Sequence, residues 1–324
     1  MRKLLLWPFG ILYGSIASLI RKYAEIKGRN TPSVFTVVVG NLAIGGTGKT
    51  PLIIQLTEAF LRKGLSVAVL SRGYGRKTKG FYALHENSVA AEVGEEPLEI
   101  YKRTKVPVYV CEDRLEGIKK MTGKVDILLL DDGFQHLPLK AHFTIILDNC
   151  KKPFYENSVL PAGTLREFPS VLKEANALVF TKTQPSFNFE EGFAKARHYT
   201  KHVFTSTYHT THENLDLSKN YILISAVANN KALEQALKTF HVIKHFSYLD
   251  HYSFTSKDHK DWSKLATENN AEIITTGKDQ SKINREWLDE RLSINVVHSK
   301  HHFEKGGFAS LIQLILIAKQ NAQL

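Results

Sequence analysis

At 324 residues, with 43% hydrophobic and 23% charged side chains, the chain has the length of two domains and an ordinary globular mix, which excludes a disordered, collagenous or multi-pass membrane polypeptide. Lys and Arg number 43 against 32 Asp and Glu; the formal net charge of +11 favours an anionic partner without choosing among nucleic acid, phosphorylated metabolite and acidic membrane. Cys111 and Cys150 are the two cysteines, far apart and without metal-ligand spacing, so neither a disulfide framework nor a zinc site is supported and a reducing, cytosolic setting fits.

The first predicted element follows Arg2 and Lys3: an uncharged run from Leu4 to Ile20, closed by Arg21 and Lys22. Its 17 residues are at the short limit for a bilayer span, and Pro8, Gly10, Gly14, Ser15 and Ser18 dilute its hydrophobicity while Trp7 and Tyr13 add interfacial character. No clean small-residue cleavage site marks a secretory signal. The run reads as an interfacial helix between basic anchors suited to anionic headgroups; a plain helix packed on the domain is the alternative.

From Val34 onward, β-branched runs alternate with helical stretches, the pattern of βαβ units building a parallel sheet. Strands are predicted from Val34 to Val39, Ser66 to Leu70, Val106 to Val110, Val125 to Leu130, Phe143 to Leu147 and Ala177 to Phe180, with helices from Leu52 to Leu61 and Leu115 to Met121. Ser186 to Ser218 is polar and rich in His and Thr, and reads as a connector. A second alternation follows, with strands from Tyr221 to Val227, Val242 to Phe246, Ile273 to Thr276 and Ile294 to Val297, and helices near 231–240, 257–269 and 308–318. The expectation is an α/β protein with an N-terminal membrane-associated helix (1–27), a P-loop-type parallel-sheet domain (28–205) and a smaller C-terminal α/β domain (206–324).

The first strand leads into Ala43-Ile44-Gly45-Gly46-Thr47-Gly48-Lys49-Thr50, with a helix opening at Pro51. This is a phosphate-binding loop: backbone N–H groups curl around a β-phosphate, Lys49 brings charge to the β and γ phosphates, and the Thr50 hydroxyl suits Mg²⁺. Ala43 stands where the pattern usually has its first glycine. About eighty residues on, the run from Ile127 to Leu130 ends in Asp131 and Asp132, carboxylates at the strand edge where a Mg²⁺-holding acid is needed. Thr181-Lys182-Thr183-Gln184 occupies the place of a guanine-reading segment, but Gln184 has no carboxylate to accept from guanine, which favours ATP over GTP. A kinase also needs a group to receive the acceptor's proton, and the acidic turn Gly94-Glu95-Glu96-Pro97, His136 and His251 are candidates. Arg72, Arg76, Arg114 and Arg166, at strand ends or in the loops after them, suit a phosphorylated acceptor.

Taken in order, these motifs resemble the tetraacyldisaccharide 4'-kinase (lipid A 4'-kinase) family of Gram-negative bacteria. They are the Gly-Gly-Thr-Gly-Lys-Thr loop after Val39-Gly40-Asn41, Ser71-Arg72-Gly73-Tyr74-Gly75-Arg76, Gly94-Glu95-Glu96-Pro97, Glu112-Asp113-Arg114, and Asp131-Asp132-Gly133-Phe134-Gln135-His136. Leu160-Pro161-Ala162-Gly163 with Leu165-Arg166-Glu167, Asp250-His251-Tyr252 and Thr275-Thr276-Gly277-Lys278-Asp279 complete the set. The resemblance implies transfer of the ATP γ-phosphoryl group to the 4'-hydroxyl of a tetraacylated glucosamine disaccharide 1-phosphate, with Mg²⁺, by a monotopic enzyme on the cytoplasmic face of the inner membrane. It implies catalytic roles for Lys49, Glu95, Asp132 and His251, metal contacts from Thr50, Asp131, Asp132 and Glu95, and acceptor contacts from Arg72, Arg76, Glu96, Arg114, Gln135, His136, Arg166 and Glu167. The expected partners are the lipid and an anionic membrane surface, with neither nucleic acid nor an obligate protein partner.

Two positions depart from the family pattern. Glu95 stands for the usual Asp, moving the carboxylate outward by about an ångström, which bears on rate rather than reaction class. Gly277 stands where many relatives have Glu. The competing readings are a P-loop ATPase or switch whose basic surface binds membrane or nucleic acid, though no nucleic-acid module is recognisable, and a soluble small-molecule kinase, which leaves Leu4 to Ile20 without a reason.

Overall fold

A single twelve-stranded sheet runs through the computed structural model of the chain, which describes residues 2–212 and 215–322. In chain order the elements are α1 (Arg2–Lys27), β1 (Thr36–Asn41), α2 (Lys49–Arg62), β2 (Val67–Ser71), β3 (Tyr82–Ala83), α3 (Ala90–Val93), α4 (Glu95–Thr104), β4 (Val108–Val110), α5 (Arg114–Lys120), β5 (Ile127–Asp131) and β6 (Phe143–Asn149). There follow β7 (Ala177–Thr181), α6 (Phe189–Arg197), β8 (His202–Thr211), β9 (Asn220–Ser225), α7 (Asn230–Ala236), β10 (His241–Ser247), α8 (Ser256–Glu268), β11 (Ala271–Thr276), α9 (Gly277–Gln280), β12 (Ile294–Phe303) and α10 (Gly307–Asn321).

The strand order is β10-β9-β11-β12-β8-β7-β6-β1-β5-β2-β4-β3. Neighbours pair in parallel except β12 with β8 and β3 with β4. Strands β1, β2, β5 and β7 are buried from end to end, as continuous apolar runs covered on both faces should be. Each of these four runs on past its apolar stretch into a polar residue, Asn41, Ser71, Asp131 or Thr181, all of them buried. These residues sit at the carboxyl edge of the sheet, where open α/β sheets bind ligands.

Two sequence expectations need correction. The segment 186–218 is not a bare connector: it holds α6 and the ten-residue strand β8. Its Thr and His residues alternate across a ribbon instead of forming an apolar run, so they lack the signal of a fully covered strand. The acidic turn at residues 94–97 is the opening of α4, with Glu95 and Glu96 in its first turn, a placement the helix dipole favours.

Strand β12 belongs to both lobes. Its first half pairs in parallel with β11, Ile273 to Thr276 against Ile294 to Val297, and its second half runs antiparallel to β8, His298 to Phe303 against Thr211 to Ser206. A division after residue 205 therefore falls within β8. Helix α10 returns to the first lobe, burying Leu311, Ile312 and Ile315 in the core shared by α2 and β1. Three such side chains contribute roughly 5 kcal/mol, enough to hold the C-terminal helix there.

Helix α1 docks through its small residues and presents its large ones. Gly10 and Gly14 are buried, and a Cβ on Gly14 would come within 2.6 Å of the Phe168 ring. Trp7, Phe9, Leu12, Leu19 and Tyr23 stand exposed. Among the described residues no helix is long and apolar enough to cross a membrane. The side chains of Arg2, Lys3 and Leu4, and with them the first basic flank, lie outside the described residues.

Candidate active site

The loop between β1 and α2 is built to leave its N–H groups free. Gly48 caps α2 in the left-handed region, φ 91°, with no side chain capping the helix start. Its carbonyl accepts from Leu52 N at 3.2 Å, while the first-turn amides remain available to an anion. Ala43 bridges Leu165 in extended backbone, and Ile44 N donates to Thr164 O at 2.8 Å. An extended residue has no need of glycine, which explains the departure at position 43. Asn41, at the end of β1, holds the loop from inside through Nδ2 to Ala43 O at 2.7 Å and accepts from Lys49 Nζ at 3.3 Å.

Beside this loop the end of β5 presents the paired aspartates. Asp131 is buried; its Oδ2 accepts from Ser71 Oγ at 3.0 Å and its Oδ1 has no hydrogen-bond partner among the described residues. Burial, reinforced by the nearby charge of Glu96 and opposed by Lys49, pushes its carboxyl up to about 7. Asp132 has φ 49°, which turns its carboxylate toward Lys49 Nζ at 3.7 Å and Arg166 Nη1 at 3.1 Å. Arg166 Nη1 also donates to Gln135 Oε1 at 2.8 Å, and Gln135 Nε2 returns to Asn41 O at 3.1 Å. The donor set fits Mg²⁺, which takes one or two protein oxygens and leaves its other positions to phosphate and water. The orphaned Asp131 Oδ1, Asp132 and the Thr50 hydroxyl are the groups available.

On the opposite wall, α4 meets the second lobe. Glu95 Oε2 lies 3.0 Å from His251 Nδ1 and 3.4 Å from Lys278 Nζ, while Glu95 Oε1 is 3.5 Å from Lys282 Nζ. A carboxylate only accepts, so Nδ1 carries a hydrogen toward Glu95, while Nε2 faces Asp250 Oδ2 at 3.8 Å. Lys278 Nζ stands 3.4 Å from that Nε2 and 2.8 Å from Asp250 Oδ1. His251 is in the left-handed region, φ 62°, and the exposed Tyr74 ring lies edge-on to it at 6.3 Å between centroids. Successive residues in one helical turn thus face both sides of the cleft: Glu96 acts on Asp131, Glu95 on His251. Gly277 allows this approach, because a Cβ there would lie 2.6 Å from Glu99 Oε1 of α4. Glu99, pushed up to about 7 by burial, fills the space that a side chain at 277 would need.

Of the expected acceptor-contacting residues, Arg72, Arg114, Gln135, His136 and Arg166 gather near the aspartates. Arg114 and His136 are both held below their usual values, by burial first and then by neighbouring cations that include Arg72. His136 Nε2 is buried without a hydrogen-bond partner among the described residues. Two expectations are corrected. Arg76 staples its own loop, donating to Glu112 Oε1 at 2.7 Å with a side chain only 2% exposed. Glu167 is clamped by Arg21 of α1, through Nε at 2.6 Å and Nη2 at 2.7 Å, so its carboxylate faces no acceptor. Both oxygens of Glu95 face His251 and the lysines.

Residues to which the sequence assigned no phosphate or acceptor contact also line the site. Lys182, φ 57°, donates from Nζ to Gly46 O at 2.7 Å and lies over the Tyr208 ring. Next to it a cavity of about 300 Å³ is lined by Lys151, Tyr155, Lys182, Gln184 and Phe187. A larger open groove between β8 and α10, about 660 Å³, carries none of the groups above. Lys278 stands in the Thr275–Asp279 motif without a role assigned to it and Lys282 lies outside every motif, because lysines in a basic chain read as solvated surface.

A family model described as tetraacyldisaccharide-1-P 4'-kinase matches residues 2–316. The chain is similar to the tetraacyldisaccharide 4'-kinase of Cytophaga hutchinsonii, 38% identical over 87% of this chain and 85% of that protein. It is similar to the one of Flavobacterium johnsoniae, 33% identical over 90% of each. Its fold is similar to a crystal structure of LpxK from Aquifex aeolicus in complex with ATP, with a TM-score of 0.78 and 28% identity over 98% of this chain and 99% of that one.

Proposed function

Because this chain belongs to the tetraacyldisaccharide-1-P 4'-kinase family, we propose how its own residues carry that family's reaction. The protein is an ATP-dependent kinase of lipid A synthesis, phosphorylating the 4'-hydroxyl of a tetraacyldisaccharide 1-phosphate. The free amides of residues 45–50 hold the β-phosphate, and Lys49 spans the β and γ oxygens. Thr50, Asp131 and Asp132 hold Mg²⁺, which would neutralise charge on the transferring phosphoryl group. The cavity beside Lys182 takes the adenine, with Gln184 as a neutral edge partner.

The Glu95–His251 contact carries the acceptor side of this reading. It joins the two lobes at the mouth of the phosphate site, and it offers a coupled acid–base pair to the 4'-hydroxyl. As that oxygen attacks the γ-phosphorus, its proton passes to the pair while the β–γ bridge oxygen leaves with ADP. Arg114, Arg166 and His136 face the incoming charge from the other side. Helix α1 lays its exposed aromatic and aliphatic face on the membrane, next to the acyl chains of the acceptor, and the need for ATP puts that surface on the cytoplasmic side of the inner membrane.

The test separates the two walls of the cleft. Glu95→Ala and His251→Ala are expected to lower kcat at least a hundredfold and leave the affinity for ATP within threefold, whereas Lys49→Ala loses ATP binding. Equal losses of ATP affinity in all three variants would overturn the assignment.

A further inference from the structure

Behind the phosphate loop, on the side away from the cleft, lies a histidine that neither the motifs nor the reaction explain. His301 of β12 is 3% exposed. Its Nε2 lies 2.8 Å from Gly48 O, and its Nδ1 2.9 Å from Ser206 Oγ of β8. A carbonyl only accepts, so Nε2 carries the hydrogen and Ser206 donates to Nδ1. Burial holds the imidazole down at about 4, in keeping with a neutral ring. The backbone of the same residue is clasped by Gln55 of α2, whose Nε2 donates to His301 O at 2.9 Å and whose Oε1 accepts from His301 N at 2.8 Å.

We propose that His301 is a positioning residue of the nucleotide site, acting through the Gly48 carbonyl. In a trans peptide the C=O and the following N–H point in opposite directions. Tying Gly48 O back to His301 therefore aims the Lys49 N–H outward, into the anion site. Lys182 does the same two peptides earlier, holding Gly46 O and aiming Thr47 N–H. The two ties stand together, with the Tyr208 ring 5.2 Å from the His301 ring and under the Lys182 ammonium. The ring also makes glycine obligatory at 48: besides the left-handed φ, a Cβ would lie 2.6 Å from His301 Nε2. Since β8 and β12 form the antiparallel ribbon between the lobes, the loop is braced by the segment that joins them.

The inference rests on the nucleotide site proposed above, and the test separates the two. Glutamine places its amide nitrogen where Nε2 lies; asparagine reaches only to the position of Nδ1. Titration calorimetry with MgATP should show His301→Asn weakened about tenfold or more and His301→Gln within threefold of the parent, with the KM for the lipid acceptor unchanged in both and thermal melting as the folding control. Asparagine and glutamine variants that behave alike, or an acceptor KM that rises with the ATP constant, would overturn it. Should His301→Asn fail to fold, Ser206→Ala decides: about threefold weaker MgATP binding supports the role, and unchanged binding counts against it. Lys49→Ala is measured alongside. If that variant binds MgATP like the parent, the nucleotide site itself is wrong; if it loses MgATP while His301→Asn does not, only the present inference fails.

Discussion

Replacing Arg21 with Met tests whether α1 is latched to the active-site loop. The guanidinium grips Glu167 with two bonds of 2.6 and 2.7 Å, reaches Glu174 at 2.9 Å, and lies 4.7 Å from the centroid of the Phe134 ring, in the loop that follows Asp132. Burial opposes the charge, but the two carboxylates outweigh it and raise its pKa further. Glu174 retains Arg29 when Arg21 is lost, whereas Glu167, 5% exposed, is left without a cation. Breaking a buried pair from one side costs about 3–5 kcal/mol, while removing both charges at constant volume is close to neutral. Arg21→Met should therefore lose roughly 3 kcal/mol in urea denaturation and open α1 to trypsin at Lys22, and Arg21→Met/Glu167→Leu should recover all but about 1 kcal/mol. A single variant within 1 kcal/mol of the parent, or a double variant no better than the single, would refute the latch.

Lys278→Met should lower kcat by about a hundredfold with little change in MgATP affinity, because Lys278 fixes Asp250 and faces both members of the Glu95–His251 pair, and small misplacements of catalytic groups cost that much; steady-state kinetics with each substrate varied will show it. Burial pushes the Asp148 carboxyl up to about 7, against the pull of the Phe154 and Asn149 amides. Between about pH 4 and pH 7 the folded state then binds more protons than the unfolded chain, so stability falls as pH rises through that window. Denaturation midpoints at pH 5 and 8 should differ less in Asp148→Asn than in the parent, with part of the slope left to Asp131 and Glu99, which shift in the same direction. On the membrane side, Leu12→Glu/Leu19→Glu should abolish co-sedimentation with phosphatidylglycerol vesicles while activity in detergent persists.

Much of the nucleotide half is legible in the residues. Glycines, a lysine and a threonine at fixed spacing after an apolar run specify both the loop and the sheet edge it occupies, and Asp131 and Asp132 follow from the same logic. The predicted strands stop short because periodicity tracks apolar side chains, whereas Asn41, Ser71 and Thr181 are polar and buried, Asn41 paired with the phosphate loop and the other two with the neighbouring strands β5 and β6. Glu167 and Arg76 illustrate the opposite difficulty. A charged residue in a motif reads as a ligand contact, and only tertiary structure shows that its partner is another side chain of the fold. His301 left no trace for a related reason: its function depends on a carbonyl 253 positions earlier, and no local pattern encodes such a pairing.

The central claim is that the phosphate loop and the Glu95–His251 pair act on one acceptor oxygen. Its most direct test is the fate of the γ-phosphoryl group when the protein is given γ-labelled ATP, Mg²⁺ and a tetraacyldisaccharide 1-phosphate in detergent. The account predicts label in the lipid as a 4'-phosphate ester, one per ADP formed, and no such product from His251→Ala although that variant still binds MgATP. Release of the label as inorganic phosphate, with the lipid unchanged, would contradict it.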